Sequence, residues 1–140
     1  MLTPRIILKT SSILAIDILK GARASNNIGI NLLTTHLDRT PALNMASETK
    51  RICLQYGIKL LLDDLEIAAL VKADGVCCDI DDEMYGRAKD VLGEDKLVGG
   101  TAHTIQDVAN LFEEGMVDFV ILESFIDDGA SENILGKQNQ

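Results

Sequence analysis

Short apolar runs alternate with longer stretches of helical spacing along most of this chain. Arg5–Lys9, Ile28–Thr34, Ile58–Leu62, Gly75–Ile80, Lys96–Gly100 and Val117–Leu122 read as strands, each brief and dominated by apolar side chains. The segments between them read as helices. Ser12–Ala24 carries Ile13, Leu14, Ile16, Ile18 and Leu19, with Ser11 or Ser12 as the cap. Pro41–Tyr56 has Thr40 in the cap position, Pro41 at the first helical position and Gly57 as a stop. Leu65–Lys72 follows a capping pair, Asp63-Asp64. Asp81-Asp82-Glu83 opens a helix to Leu92, with carboxylates where the helix dipole favours them. Thr104 starts a last helix that runs to Glu114 and stops at Gly115, with Ile105, Val108, Leu111 and Phe112 on one face.

Near-continuous apolar strands alternating with helices imply a parallel sheet covered on at least one face. The chain supplies about six such strands, whereas a complete eight-stranded barrel takes roughly 250 residues. The expectation for 140 residues is therefore an α/β fold, either an open sheet or a partial TIM barrel lacking its last units. After Phe125 the pattern lapses into Asp-Asp-Gly-Ala-Ser-Glu-Asn. The expected division is a barrel-like domain over residues 1–126 and a polar C-terminal tail over 127–140.

Composition narrows the partners. The chain is 46% hydrophobic with two prolines, a globular balance. Its formal net charge of -9 disfavours nucleic acid and anionic membrane, which both need a basic face. Phosphorylated small molecules stay open, because backbone N–H groups, a metal ion or a few local cations can hold them. No apolar run nears the roughly 18 residues of a membrane span. Met1-Leu2-Thr3-Pro4-Arg5 does not read as a secretory signal. Three cysteines, two of them adjacent, suit a reducing cytoplasm better than a disulfide framework, and none has zinc-site spacing.

Three stretches carry a resemblance. They are Leu60-Leu61-Leu62-Asp63-Asp64-Leu65-Glu66-Ile67-Ala68, then Ala73-Asp74-Gly75-Val76-Cys77-Cys78-Asp79-Ile80-Asp81-Asp82, then Leu97-Val98-Gly99-Gly100-Thr101-Ala102-His103-Thr104 followed by Glu114-Gly115-Met116-Val117-Asp118-Phe119-Val120. In order and spacing, over roughly Arg51 to Phe125, this set resembles the thiamine phosphate synthases and the related thiazole tautomerases. The resemblance implies a phosphate-binding TIM barrel that joins hydroxymethylpyrimidine diphosphate to thiazole phosphate and releases diphosphate. It also implies Mg²⁺, which one or two carboxylates and phosphate oxygens commonly hold. Matching the motifs puts Asp63 and Asp82 in the metal positions, and Thr101 in place of a serine beside the diphosphate.

Each of these residues also has a plainer role. Aspartate at a strand-to-helix junction is a favoured N-cap, which suits both Asp63 and Asp82. Thr101 reads as a loop hydroxyl, and His103 as a turn residue before the cap Thr104. Cys77 and Cys78 lie on a strand, so one should face each side as a buried thiol. Gly99-Gly100 either lets a ligand approach the backbone or ends the strand.

The departures from the family pattern matter as much. The basic Gln-x-Arg-x-Lys motif falls at Asn31-Leu32-Leu33-Thr34-Thr35, so Leu33 and Thr35 replace the two cations. Leu62 stands for an asparagine, Asp64 for an arginine and Cys77 for a histidine, and Glu123-Ser124 stands for Gly-Pro. Two alternatives follow. One is a tautomerase-like isomerase without metal, with Glu123 or His103 as the acid–base residue. The other is a non-catalytic remnant or binding module whose open edges, at strands one and six, pair with another chain or a second copy.

Overall fold

The computed structural model describes residues 3–4, 6–12, 28–79, 82–115 and 117–122. Its strands are β1 (Ile6–Thr10), β2 (Ile28–Leu32), β3 (Lys59–Leu62), β4 (Gly75–Cys78), β5 (Leu97–Ala102) and β6 (Phe119–Leu122). Its helices are α1 (Arg39–Tyr56), α2 (Leu65–Val71), α3 (Asp82–Leu92) and α4 (Ile105–Glu113). Each strand pairs in parallel with its neighbours in the chain, in the order β1 to β6. This is the expected partial α/β barrel. The expected helix over Ser12–Ala24, Asp81, Glu123-Ser124 and the tail 127–140 lie outside the described residues, apart from Ser12.

Alternation along the strands creates two cores. Ile28, Ile30 and Leu32 of β2 and Leu60 and Leu62 of β3 face the helices, where they meet Ala42, Ala46 and Cys53 of α1 and Ile67 and Ala68 of α2. Val76 and Val98 do the same under α3, against Ala88. The intervening positions form the barrel interior, in which Leu61, Cys77, Leu97 and Phe119 pack with Ile7 and Ile121. Cys77 and Cys78 thus face opposite sides, as expected for neighbours on a strand.

Two aspartates bracket the strands at the end where each begins. The Asp74 N–H donates to Leu60 O at 2.8 Å, while its carboxylate accepts from the Leu60 N–H at 2.8 Å. Asp118 repeats this two strands on, donating to Val98 O at 2.7 Å and accepting from the Val98 N–H at 2.8 Å. Lys89 of α3 reinforces the second bracket, with Nζ 2.9 Å from Asp118 Oδ2 and 2.8 Å from Lys96 O. Gly75 follows for a steric reason, since a Cβ there would lie 2.3 Å from Leu97 O.

Several boundaries differ from the sequence expectation. α1 begins at Arg39 with Asp38 as N-cap, so Thr40 and Pro41 lie inside its first turn. Proline is tolerated there because N–H groups in that turn have no helical acceptor. Gly57 does end α1, at φ 70°. β5 runs through Gly99-Gly100 to Ala102 instead of ending there. Gly99 makes room for the Phe119 ring, since a Cβ would lie 2.2 Å from Phe119 Cζ. On α4 only part of the expected face is covered. Val108 and Leu111 pack near Ala102 and Val120, while Ile105 (73%) and Phe112 (53%) stay exposed among the described residues. α4 is short and touches β5 and β6 along one narrow stripe.

Candidate active site at the barrel mouth

The interior faces predict what lies at the C-terminal mouth. In a strand, side chains two residues apart share a face. Continuing the inner series by two residues leads from Ile7 to Lys9, from Asn31 to Leu33, from Leu61 to Asp63, from Cys77 to Asp79 and from Gly99 to Thr101. These five end points line one cavity of about 400 Å³, together with Thr35, Cys77, Cys78 and His103. Catalytic groups gather at this face in barrels of this kind.

Asp63 is the most heavily bonded side chain of the mouth. Its Oδ1 accepts from the Thr34 N–H and hydroxyl, both at 2.8 Å. Its Oδ2 accepts from the Thr35 N–H at 3.1 Å and hydroxyl at 3.0 Å. The carboxylate therefore pins the loop after β2 against the end of β3. It does not cap α2. Asp64 does, accepting from the Ile67 N–H at 3.1 Å. Thr101 sits on β5 and faces the cavity, half-buried. Asp82 opens α3, but its side chain lies outside the described residues. The mouth thus brings Asp63 and Thr101 together. It also adds Lys9 and Asp79, which motif matching had passed over and the two-residue rule identifies.

A resident Mg²⁺ at Asp63 would have to displace hydrogen bonds that this arrangement makes. A carboxylate offers about four lone-pair positions, and four donors occupy them here. Mg²⁺ also requires near-octahedral oxygen ligands. Among the described residues, which do not include the Asp82 side chain, no group of three His, Cys, Asp or Glu side chains is placed to hold a metal.

Below the mouth, Asn31 is 1% exposed. Its Nδ2 points at Cys77 O, 3.5 Å away, and its Oδ1 has no hydrogen-bond donor among the described residues. Burial pushes the Cys77 and Cys78 thiols up to about 11 each. At neutral pH both are protonated, so neither is a ready nucleophile. His103 stands just before α4, where Thr104 is the cap and accepts from the Asp107 N–H at 3.1 Å.

Among the described residues no helix is long and apolar enough to cross a membrane. Comparison with known proteins gives a consistent result. Residues 11–127 match the family model described as thiamine monophosphate synthase. The chain is 35% identical over 72 residues to a thiamine-phosphate synthase of Flavobacterium johnsoniae, covering 51% of this chain and 34% of that protein. It is 36% identical over 81 residues to the Thiobacillus denitrificans enzyme of the same name, covering 57% and 38%. The matched segment thus spans about a third of the length of these relatives. A thiamine phosphate pyrophosphorylase structure from Pyrococcus furiosus superposes with a TM-score of 0.67 at 14% identity, over 88% of this chain and 61% of that one. That last likeness is one of fold.

Proposed function

We propose a function from one premise: the chain belongs to the thiamine monophosphate synthase family. The mouth takes small phosphorylated pyrimidine and thiazole substrates. Its chemistry is the joining of hydroxymethylpyrimidine diphosphate and thiazole phosphate, in which diphosphate leaves the pyrimidine carbon and the thiazole nitrogen bonds to it. The observation that supports this reading is the convergence of five strand ends on one cavity holding Asp63 and Thr101.

In this reading the Thr101 hydroxyl donates to a phosphate oxygen, and Leu33 and Cys77 offer apolar surface to a ring. Asp63 keeps Thr34 and Thr35 in place, so the wall beside the ligand is set before binding. No step is routed through Mg²⁺ at Asp63. Asp82, in the first turn of α3, is the remaining carboxylate that the family pattern assigns to a metal. We take residues 1–126 as the segment carrying this site and 127–140 as a tail. The setting we propose is the cytoplasm, where Cys53, Cys77 and Cys78 stay as free thiols.

The test is formation of thiamine phosphate from the two substrates, read as fluorescent thiochrome after oxidation. Turnover that Thr101→Val reduces at least about tenfold supports the reading, on the scale of one lost hydrogen bond to a charged group. No product from a chain that circular dichroism shows to be folded overturns it. β1 and β6 each pair on one side only among the described residues, and such edges invite another strand. A second copy is the proposed partner, and a concentration-independent monomer on size-exclusion chromatography would rule it out.

A further inference from the structure

The family pattern neutralises phosphate at this mouth with two side-chain cations and a metal ion. Here Leu33 and Thr35 stand in the cation positions, and Asp63 is committed to four threonine bonds. Yet the mouth does hold a cation on a different strand. Lys9 lies two residues beyond Ile7 on the inner face of β1 and lines the same cavity as Thr101. It alone among the described lining residues is a lysine or arginine.

We infer that Lys9 supplies the cationic contact for a phosphoryl group in this mouth, and that capture of phosphate there requires no divalent ion at Asp63. The inference rests on the reading that the mouth takes phosphorylated ligands. An ammonium suits the role, being a compact point charge with three donors on a flexible stem. Thr101 on β5 supplies a neutral donor to the same cavity. Asp79 is a second carboxylate on the wall, a negative charge in the cavity an incoming anion would enter.

The test is calorimetric titration of the full chain with two probes, thiamine phosphate and inorganic phosphate, first with EDTA and then with MgCl₂. Binding is expected in EDTA, with Mg²⁺ changing Kd less than about twofold. Lys9→Met should weaken both probes about tenfold or more, as loss of a hydrogen bond between charged groups does. Lys9→Arg should restore most of the affinity, and Asp79→Asn should tighten binding. The inference is overturned if neither probe binds, or if Lys9→Met binds as the parent does. It is equally overturned if Mg²⁺ tightens binding tenfold and Asp63→Asn removes that gain. Lys9-dependent phosphate binding without thiamine phosphate formation would leave the inference standing and remove the synthase reading alone.

Discussion

Thr34→Val tests the bond network at Asp63 most sharply. Valine matches threonine in shape, so the change deletes one hydroxyl donor, 2.8 Å from Asp63 Oδ1, and leaves the Thr34 backbone N–H in place. A hydrogen bond to a charged group contributes about 1.5–3 kcal/mol. Thr34 is 1% exposed, which keeps water from replacing the lost hydroxyl at its own position. Asp63 is only half-buried, so water compensates part of the loss on the carboxylate side. The expected cost is about 1–2 kcal/mol. Thr35 is exposed, and the same change there should cost about 0.5 kcal/mol or less. Urea denaturation measures both. With a slope of about 2 kcal/mol/M, the Thr34→Val midpoint should fall by roughly 0.5–1 M with the slope unchanged. Combined with Asp63→Ala in a double-mutant cycle, the pair should show a coupling of about 1–2 kcal/mol. A Thr34→Val midpoint equal to the parent's, or a Thr35→Val cost as large as that of Thr34→Val, would refute the reasoning.

Gly99→Ala should destabilise by about 1–3 kcal/mol through overpacking on the Phe119 ring, with much of the loss recovered in a Phe119→Leu background; thermal melts read both. Asp118→Ala should cost about 2–4 kcal/mol, because the buried Val98 N–H and Lys89 lose their shared acceptor, and urea midpoints check it. The thiols predict a pH dependence. Burial raises Cys53 to about 12 and Cys77 and Cys78 to about 11, from an ordinary 9.0. Raised thiols bind protons more tightly in the folded chain, so their contribution is complete below pH 9.0 and is lost as pH climbs toward 11–12. Urea midpoints should fall between pH 9 and 10.5, and a thiol reagent should react slowly at pH 8 until urea unfolds the chain.

Much of the architecture was legible because parallel strands buried on both faces write themselves as apolar runs. The motif around Asp74 and Asp118 was legible too, but for another reason than chemistry. Those aspartates bracket the backbone of the preceding strand, and Gly75 clears Leu97 O. What drew the family resemblance there is a folding signal. The pinning of Asp63 by Thr34 and Thr35 was not legible, since it joins loops 28 and 29 residues apart and depends on register. A local rule reads an aspartate before a helix as its cap, and here two adjacent aspartates divide the tasks, Asp64 capping and Asp63 reaching back. The start of α1 was misplaced for a similar reason. Thr40-Pro41 satisfies the usual entry pattern, yet the first helical bond runs from the Ala42 N–H to Asp38 O. Lys9 and Asp79 were hidden from motif matching and visible to strand alternation, once the inner face of each strand was known.

The strand order bears on how the chain is made. Every described strand lies beside its immediate neighbours in sequence. A chain leaving the ribosome can therefore lay down this sheet in the order of synthesis, each new strand docking on one already in place. The Asp74 and Asp118 brackets work as ratchet teeth in such growth, each fastening an arriving strand to the strand just before it through both an N–H and a carboxylate. Removing a tooth should slow the docking of everything made after it, while the strands already laid down keep their pairing.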